Sequence, residues 1–222
     1  MRQQQNRLHC DVLVVGGGIN GAGIARDAAG RGLRVVLCEQ DDLGQHTSSA
    51  SSKLIHGGLR YLEHGQFGLV RKALAEREVL LQSAPHLLRP QRLVMPLGAG
   101  QRPAWLIRAG LFLYDHLAAR AILPPSTALS LPDHPAGAPL QRRYTRGFAY
   151  SDGWADDARL VVLCALDAQA RGATVLPRTR CQTVARHPGH WSATLEYAAG
   201  VRSTVEARCL VNATGPWAGH FL

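Results

Sequence analysis

The strongest constraint in the chain is Gly16-Gly17-Gly18-Ile19-Asn20-Gly21, set directly between an apolar run and a helical one. Asp11 to Val15 reads as a short strand, and Ile19 to Arg31 carries helical spacing through Ile24, Ala25, Ala28 and Ala29. Gly32 breaks that helix, and Leu33 to Cys38 (LRVVLC) is a second β-branched strand that ends at Glu39. Each glycine of the G-x-G-x-x-G pattern answers a physical demand. Gly16 permits the tight turn, Gly18 lets backbone approach a pyrophosphate with no Cβ in the way, and Gly21 lets helix and strand pack closely. The helix starting here aims roughly half a positive charge, and its unpaired amides, at that pyrophosphate. Glu39 lies 18 residues beyond Gly21, where an acid hydrogen-bonds a ribose and repels a ribose phosphate. Strand, turn, helix, strand and acid together define a dinucleotide site, with Gly16, Gly18, Ile19, Asn20, Gly21 and Glu39 as candidate ligands.

That fingerprint does not choose between NAD and FAD. The choice comes from Leu210-Val211-Asn212-Ala213-Thr214-Gly215, about 200 residues later, a strand running into a turn of small residues. Ala213, Thr214 and Gly215 resemble the Ala-Thr-Gly segment of flavoproteins with two dinucleotide domains, where it returns to the first sheet beside the nucleotide crevice. The pair of turns favours FAD, provided that both meet across one parallel sheet.

Composition narrows the partners. The 222 residues are 46% hydrophobic and 18% charged, which is globular, and the net charge of +9 favours an anionic partner. Nucleic acid is disfavoured, because no basic tract is interleaved with aromatics and only 6% of residues are aromatic. Acidic lipid headgroups or a phosphorylated metabolite remain. Cys10, Cys38, Cys164, Cys181 and Cys209 form no C-x-x-C pair, so reduced, buried thiols in a cytosolic compartment are expected rather than a disulfide framework or a zinc site. The apolar run Val12 to Val15 is too short for a signal-peptide core, and no stretch reaches the roughly 20 apolar residues that span a bilayer. A cytoplasmic or peripheral protein is expected.

Between the two turns the chain is less regular. Gly44 to Lys53 reads as an ordered, serine-rich loop, followed by His56-Gly57-Gly58. Helical spacing covers Leu69 to Leu88, with Pro85 near its end. Ala104 to Leu117 (AWLIRAGLFLYDHL), apolar almost all round but for Arg108, reads as a buried helix, the alternative being a surface that dips into a membrane. Five prolines in residues 121–140 mark a long loop. Asp156-Asp157 starts a helix, Ala158 to Arg171, that Gly172 stops; strands follow over Thr174–Val184, Trp191–Tyr197 and Val201–Asn212.

Six blocks together resemble one family: GGGINGAGIARDAAGRGL, TSSASSKLIHGGLRYLEHGQF, ALAEREVLLQSAPHL, RPAWLIRAGLFLYDHL, GFAYSDGWADDARLV and LVNATGPW. The pattern is that of the respiratory, FAD-dependent glycerol-3-phosphate dehydrogenases, and it runs from about residue 10 to about 219. The serine-rich block is specific to them; the glycine motif is not. The resemblance implies oxidation of glycerol 3-phosphate to dihydroxyacetone phosphate, with electrons passing from FAD to quinone. It places the protein peripherally on the cytosolic face of the inner membrane, against anionic lipid, and leaves a homodimer open. It makes Thr47, Ser48, Ser51 and Ser52 donors to flavin or pyrophosphate oxygens, and Arg60 and Tyr61 substrate-side residues, suited to a phosphate by fork geometry and a hydroxyl. His56 is a candidate for taking the carbinol proton, or else simply orients the His-Gly-Gly turn.

The expected fold is α/β: a Rossmann-like FAD-binding domain of the glutathione-reductase and D-amino-acid-oxidase type. It is discontinuous over 1–75 and 151–222, with 76–150 as part of an inserted substrate-side region. The family's chain continues further, to more phosphate ligands and a second glycine turn. The 222 residues therefore read as a truncated amino-terminal portion, with weak FAD retention and no activity expected when isolated. The alternatives are an amine or amino-acid oxidase of the same fold, which would lack SSKLIHGGLRYLE, and a non-catalytic FAD-binding module.

Overall fold

The computed structural model describes residues 7–198 and 200–221. In chain order the strands are β1 (Arg7–Val15), β2 (Val35–Cys38), β3 (Leu54–Ile55), β4 (Leu88–Pro96), β5 (Thr127–Ser130), β6 (Arg146–Ala155), β7 (Thr174–Leu176), β8 (Thr179–His187), β9 (His190–Tyr197) and β10 (Arg202–Asn212). The helices are α1 (Ile19–Gly30), α2 (Phe67–Ser83), α3 (Ala104–His116), α4 (Asp157–Ala170) and the single turn α5 (Ala218–Phe221). The chain divides into two compact units, Met1–Ser52 with Asp157–Leu222, and Lys53–Asp156.

The first unit is built on a six-stranded sheet in the order β7-β2-β1-β10-β9-β8. β1 pairs in parallel with β2 on one side and β10 on the other, and β2 pairs in parallel with β7. Beyond β10 the pairing turns antiparallel through β9 to β8. Only Pro177 and Arg178 separate β7 from β8, which lie at opposite ends of that order, so the sheet curls until its ends approach. Alternation along the strands fills both faces. Leu13, Val15, Val36 and Cys38 meet Ala193, Leu195, Val205 and Ala207 inside the curl. Val14, Val35 and Leu37 face the helical side, where Ala25, Ala28 and Ala29 of α1 and Ala168 of α4 pack. Full burial of each Val or Leu contributes about 1.5–3 kcal/mol, and the alanines let the helices approach closely.

Several boundaries differ from the sequence expectation here. β1 begins at Arg7 rather than Asp11, because Arg7–Cys10 pairs with Thr204–Ala207 of β10. The strand expected over Thr174–Val184 is two strands, broken where Arg178 adopts φ +52° after Pro177. The last strand starts at Arg202. All five cysteines are free; Cys10 and Cys38 are buried, and burial pushes the Cys10 thiol up to about 11, whereas Cys209 is exposed.

The second unit is an antiparallel sheet with β6 at its centre. β4 pairs along β6 from Leu88↔Ala155 to Pro96↔Gly147, while β3 and β5 pair with opposite ends of the same strand. Val70 and Leu74 of α2 pack with Tyr114 of α3, joined by Leu59, Leu62 and Tyr150. The expected helix to Leu88 stops at Ser83, because Pro85 forces Ala84 out of helical geometry (φ −135°, ψ 57°). β4 and β6 had no strand expectation, and β5 lies in the stretch expected to be loop. Residues 53–75 and 151–156 belong to this unit rather than to the first, where the sequence expectation put them, since β3 pairs with the end of β6 and α2 packs on α3. The expectation that α3 is buried is also corrected. Leu111, Tyr114 and Asp115 are buried, but Trp105 is 71% exposed and Leu106, Phe112 and Leu113 are exposed as well. Among the described residues no helix is long and apolar enough to cross a membrane.

Asp11 supplies a pH-dependent element of the first unit. Its carboxylate accepts from Arg34 Nε (3.2 Å), Nη2 (3.1 Å) and the Arg34 backbone N–H (2.9 Å), which holds its pKa down at about 2. A carboxyl depressed on folding contributes stability that is present above its ordinary value, about 3.9, and lost as pH falls through about 2. Asp11→Asn should therefore lower Tm at pH 7, with the gap from wild type closing between about pH 4 and 2. A gap in thermal melts that persists unchanged below pH 2 would refute this origin.

Candidate functional site

The carboxyl ends of the parallel strands open into a cleft of about 520 Å³. Its floor is the junction of two turns. Ala213 N–H donates to Val15 O at 2.8 Å and Gly16 N–H to Cys38 O at 2.9 Å, which ties β1, β2 and β10 together where each strand ends. Gly16 sits at φ +111°, and a Cβ there would lie 2.4 Å from Ala213 O. At Gly21 a Cβ would fall 1.8 Å from Gly16 O, so the helix start presses against the turn. The glycine turn and the Ala213–Gly215 turn thus meet across one parallel sheet, as the choice of FAD requires.

Around this floor the cleft is lined by Gly16, Gly18, Ile19, Asn20, Glu39, Thr47, Ser48, Ala213, Thr214 and Gly215. Gly21 lies behind them, in the packing. Glu39 accepts from Gly17 N–H at 2.6 Å through one oxygen and from Asp41 N–H at 2.9 Å through the other. Each oxygen keeps a second lone-pair direction for a ribose hydroxyl. The Ser48 hydroxyl accepts from Ile19 N–H at 3.0 Å, at the first residue of α1, and keeps its own proton for an anion held there. Thr214 is fixed by Asn212, whose Oδ1 accepts from the Thr214 hydroxyl at 2.7 Å. Ser51 and Ser52 are not in this wall: the Ser51 hydroxyl donates to Asp157 at 2.7 Å, at the start of α4, and Ser52 is exposed.

Residues that the sequence did not single out complete the cleft. Thr179, Cys181 and Thr183 come from β8, and Trp217 from the terminal turn, its ring edge-on to His46 at 5.0 Å. The only sequence signal for β8 was its strand character; its place in the wall depends on the curl of the sheet. Glu39, Asp41 and His46 bring possible ligand atoms within 4.8 Å of one another. Hydrogen bonds among these residues and the backbone, including His46 Nε2 to Asp41 at 2.8 Å, account for that cluster.

His56, Arg60 and Tyr61 belong to the second unit. His56 and Arg60 are exposed, and Tyr61 is half exposed with its ring over Gly58, where a Cβ would meet Tyr61 Cδ2 at 2.4 Å. Gly58 and Gly65 both take left-handed geometry (φ +72° and +67°), so the 3-10 turn Leu59–His64 that carries Arg60 and Tyr61 is bracketed by glycines.

The parallel strands, glycine turn and acid-closed cleft define a dinucleotide-binding α/β protein. Its cradle fits the adenine dinucleotide FAD on steric grounds, because Gly16 and Gly18 leave backbone bare where any Cβ would meet Ala213 or Ser48. Comparison with known proteins agrees: the family described as FAD dependent oxidoreductase matches residues 11–222, and the chain belongs to it. The chain is 60% identical over 212 residues to a glycerol-3-phosphate dehydrogenase of Pseudomonas aeruginosa, covering 96% of this chain and 41% of that protein. It is 57% identical over 209 residues to D-erythritol 1-phosphate dehydrogenase of Brucella abortus, covering 94% of this chain and 42% of the relative. The crystal structure of a glycerol-3-phosphate dehydrogenase from Bacillus halodurans with FAD superposes with a TM-score of 0.69 at 28% identity, over 98% of this chain and 36% of that one. The chain thus spans about two fifths of the length of these curated relatives.

Two substitutions test the cleft. Gly16→Ala should purify with less than about half the flavin per protein of the wild type, since the Cβ meets backbone and the φ is unfavourable. Ser48→Ala removes one hydrogen bond worth about 1 kcal/mol and should weaken FAD binding about five-fold in fluorescence titration. Full flavin content in Gly16→Ala would exclude this cradle.

Proposed function

We propose that the whole protein oxidises glycerol 3-phosphate to dihydroxyacetone phosphate and passes the electrons to quinone. The reading rests on the 60% identity to the Pseudomonas dehydrogenase over 96% of this chain, together with the family resemblance of the TSSASSKLIHGGLRYLE block. A second reading has specific support. The Brucella relative is named for a four-carbon polyol phosphate, and both compounds set a secondary alcohol beside a phosphate ester.

When bound, FAD supplies the acceptor for the hydride that leaves the carbinol carbon. The residues do the rest. Gly16, Gly18 and the amides at the start of α1 hold the pyrophosphate, Ser48 and Thr47 donate to it, and Glu39 takes the ribose. Ala213, Thr214 and Gly215 keep the opposite wall of the cleft free of bulk. In the second unit, Arg60 and the Tyr61 hydroxyl address the substrate, and His56 accepts the hydroxyl proton so that the ketone can form. The net charge of +9 and the exposed Trp105, Phe112 and Leu113 of α3 support contact with an anionic membrane surface; the cytosolic side follows only from the family resemblance.

Anaerobic titration of the full-length protein decides the substrate. Glycerol 3-phosphate should bleach the flavin absorbance, and D-erythritol 1-phosphate doing so at lower concentration would favour the second reading. Bleaching by an amino acid alone would exclude both. Arg60→Gln should raise KM for the phosphorylated substrate about ten-fold or more while FAD content stays unchanged, because a charged hydrogen bond to phosphate is worth about 1.5–3 kcal/mol.

A further inference from the structure

The backbone immediately after His56 is held by the most deeply buried polar network of the second unit. Gly57 N–H donates to Tyr114 Oη at 2.7 Å, and Tyr114 Oη donates to Asp152 Oδ1 at 2.8 Å. Asp152 Oδ1 also accepts from Arg77 Nη1 at 2.6 Å, and Arg77 reaches Ser151 O and Glu78 Oε1, both at 3.3 Å. Arg77, Asp152 and Glu78 are 1%, 2% and 6% exposed. A phenol has one proton, here directed at the carboxylate, so its lone pair faces the Gly57 amide. The chain therefore has one polarity and one geometry.

Sterics close the remaining directions. A Cβ on Gly57 would lie 2.5 Å from Leu74 Cδ2 and 2.9 Å from the Tyr114 ring, and Gly58 is left-handed beneath Tyr61. His56 itself is exposed. The turn is clamped and the imidazole is left at the surface. Stability alone is a poor account of this arrangement, because a buried ion pair commonly adds nothing over an apolar filling of the same volume. Burial raises the Asp152 carboxyl, opposed by the hydrogen bonds from Tyr114 and Arg77 and by the Arg77 charge.

From this geometry we infer that Tyr114, oriented by Asp152 and Arg77, is a positioning residue that sets the backbone of the His56-Gly57-Gly58 turn and thereby aims His56. The inference rests on His56 acting in the reaction proposed above. Tyr114→Phe removes one oxygen, leaves the ring packing intact and lets the turn drift.

A double-mutant cycle in the full-length protein tests it: wild type, Tyr114→Phe, His56→Ala and the double variant. The cycle is run with whichever substrate bleaches the wild-type flavin, so a wrong substrate assignment shows in the wild type and leaves the cycle readable. Tyr114→Phe should lower kcat about ten-fold with KM and flavin content within roughly two-fold of wild type. In the His56→Ala background the same substitution should change kcat less than about two-fold. Hydrogen exchange in peptides spanning residues 54–59 should speed up in Tyr114→Phe, a readout that needs no turnover. Equal losses of kcat in both backgrounds, wild-type kcat in Tyr114→Phe or in His56→Ala, or unchanged exchange at Gly57 would each overturn the inference.

Discussion

The parallel ladder between β1 and β10 is the constraint on which the nucleotide cleft depends. Its register sets Val15 opposite Asn212, and the bond from Ala213 N–H to Val15 O continues it one step past the strands. A slip of one residue would move every core side chain of β10 to the opposite face of the sheet and carry the Ala213–Gly215 turn away from Gly16. Both consequences are opposed by the same apolar set, the buried Leu13, Val15, Val205 and Ala207 on one face and, on the other, buried Val14 with half-buried Val211. Packing and site geometry are one specification here. The cleft needs no residue of its own to hold it open beyond the glycines that keep it bare.

Much of this unit was legible in the sequence because its signals are local and mutually consistent. Gly16 and Gly21 announce close backbone approaches that no other residue tolerates, and the β-branched run before Glu39 leaves little choice but a buried strand. The second unit hid its strands for physical reasons. β6 is buried on both faces, so it shows no alternation, and Ser151, Asp152, Gly147 and Gly153 disguise it further. β4 carries Pro90 and Pro96, which read as breakers, yet an edge strand needs no N–H on its outer side. α2 is shorter than its apolar spacing predicts, because Leu88 continues that spacing and is buried, but as the first residue of β4.

Among the candidate residues, a glycine's role could be read from sterics, whereas a hydroxyl's could not. Thr47, Ser48, Ser51 and Ser52 look alike in sequence, but Ser48 reaches the start of α1 and Ser51 turns to Asp157. Distances of 29 and 106 residues separate those partners, and no local pattern encodes them. The same holds for Tyr114, which sits in an apolar helix with nothing nearby in sequence to mark its hydroxyl, and whose partners Gly57 and Asp152 come from two other elements.

The first unit is assembled from two stretches of chain that a whole second unit separates. During synthesis β1 and β2 leave the ribosome with α1, but the other edge of β1 has no partner until β10 follows, about 190 residues later. At the usual pace of translation that interval is about 10–40 s. Through it the nascent chain carries an open, apolar strand edge of the kind that templates aggregation. Slowed elongation over residues 53–156 lengthens that exposure, and faster elongation shortens it.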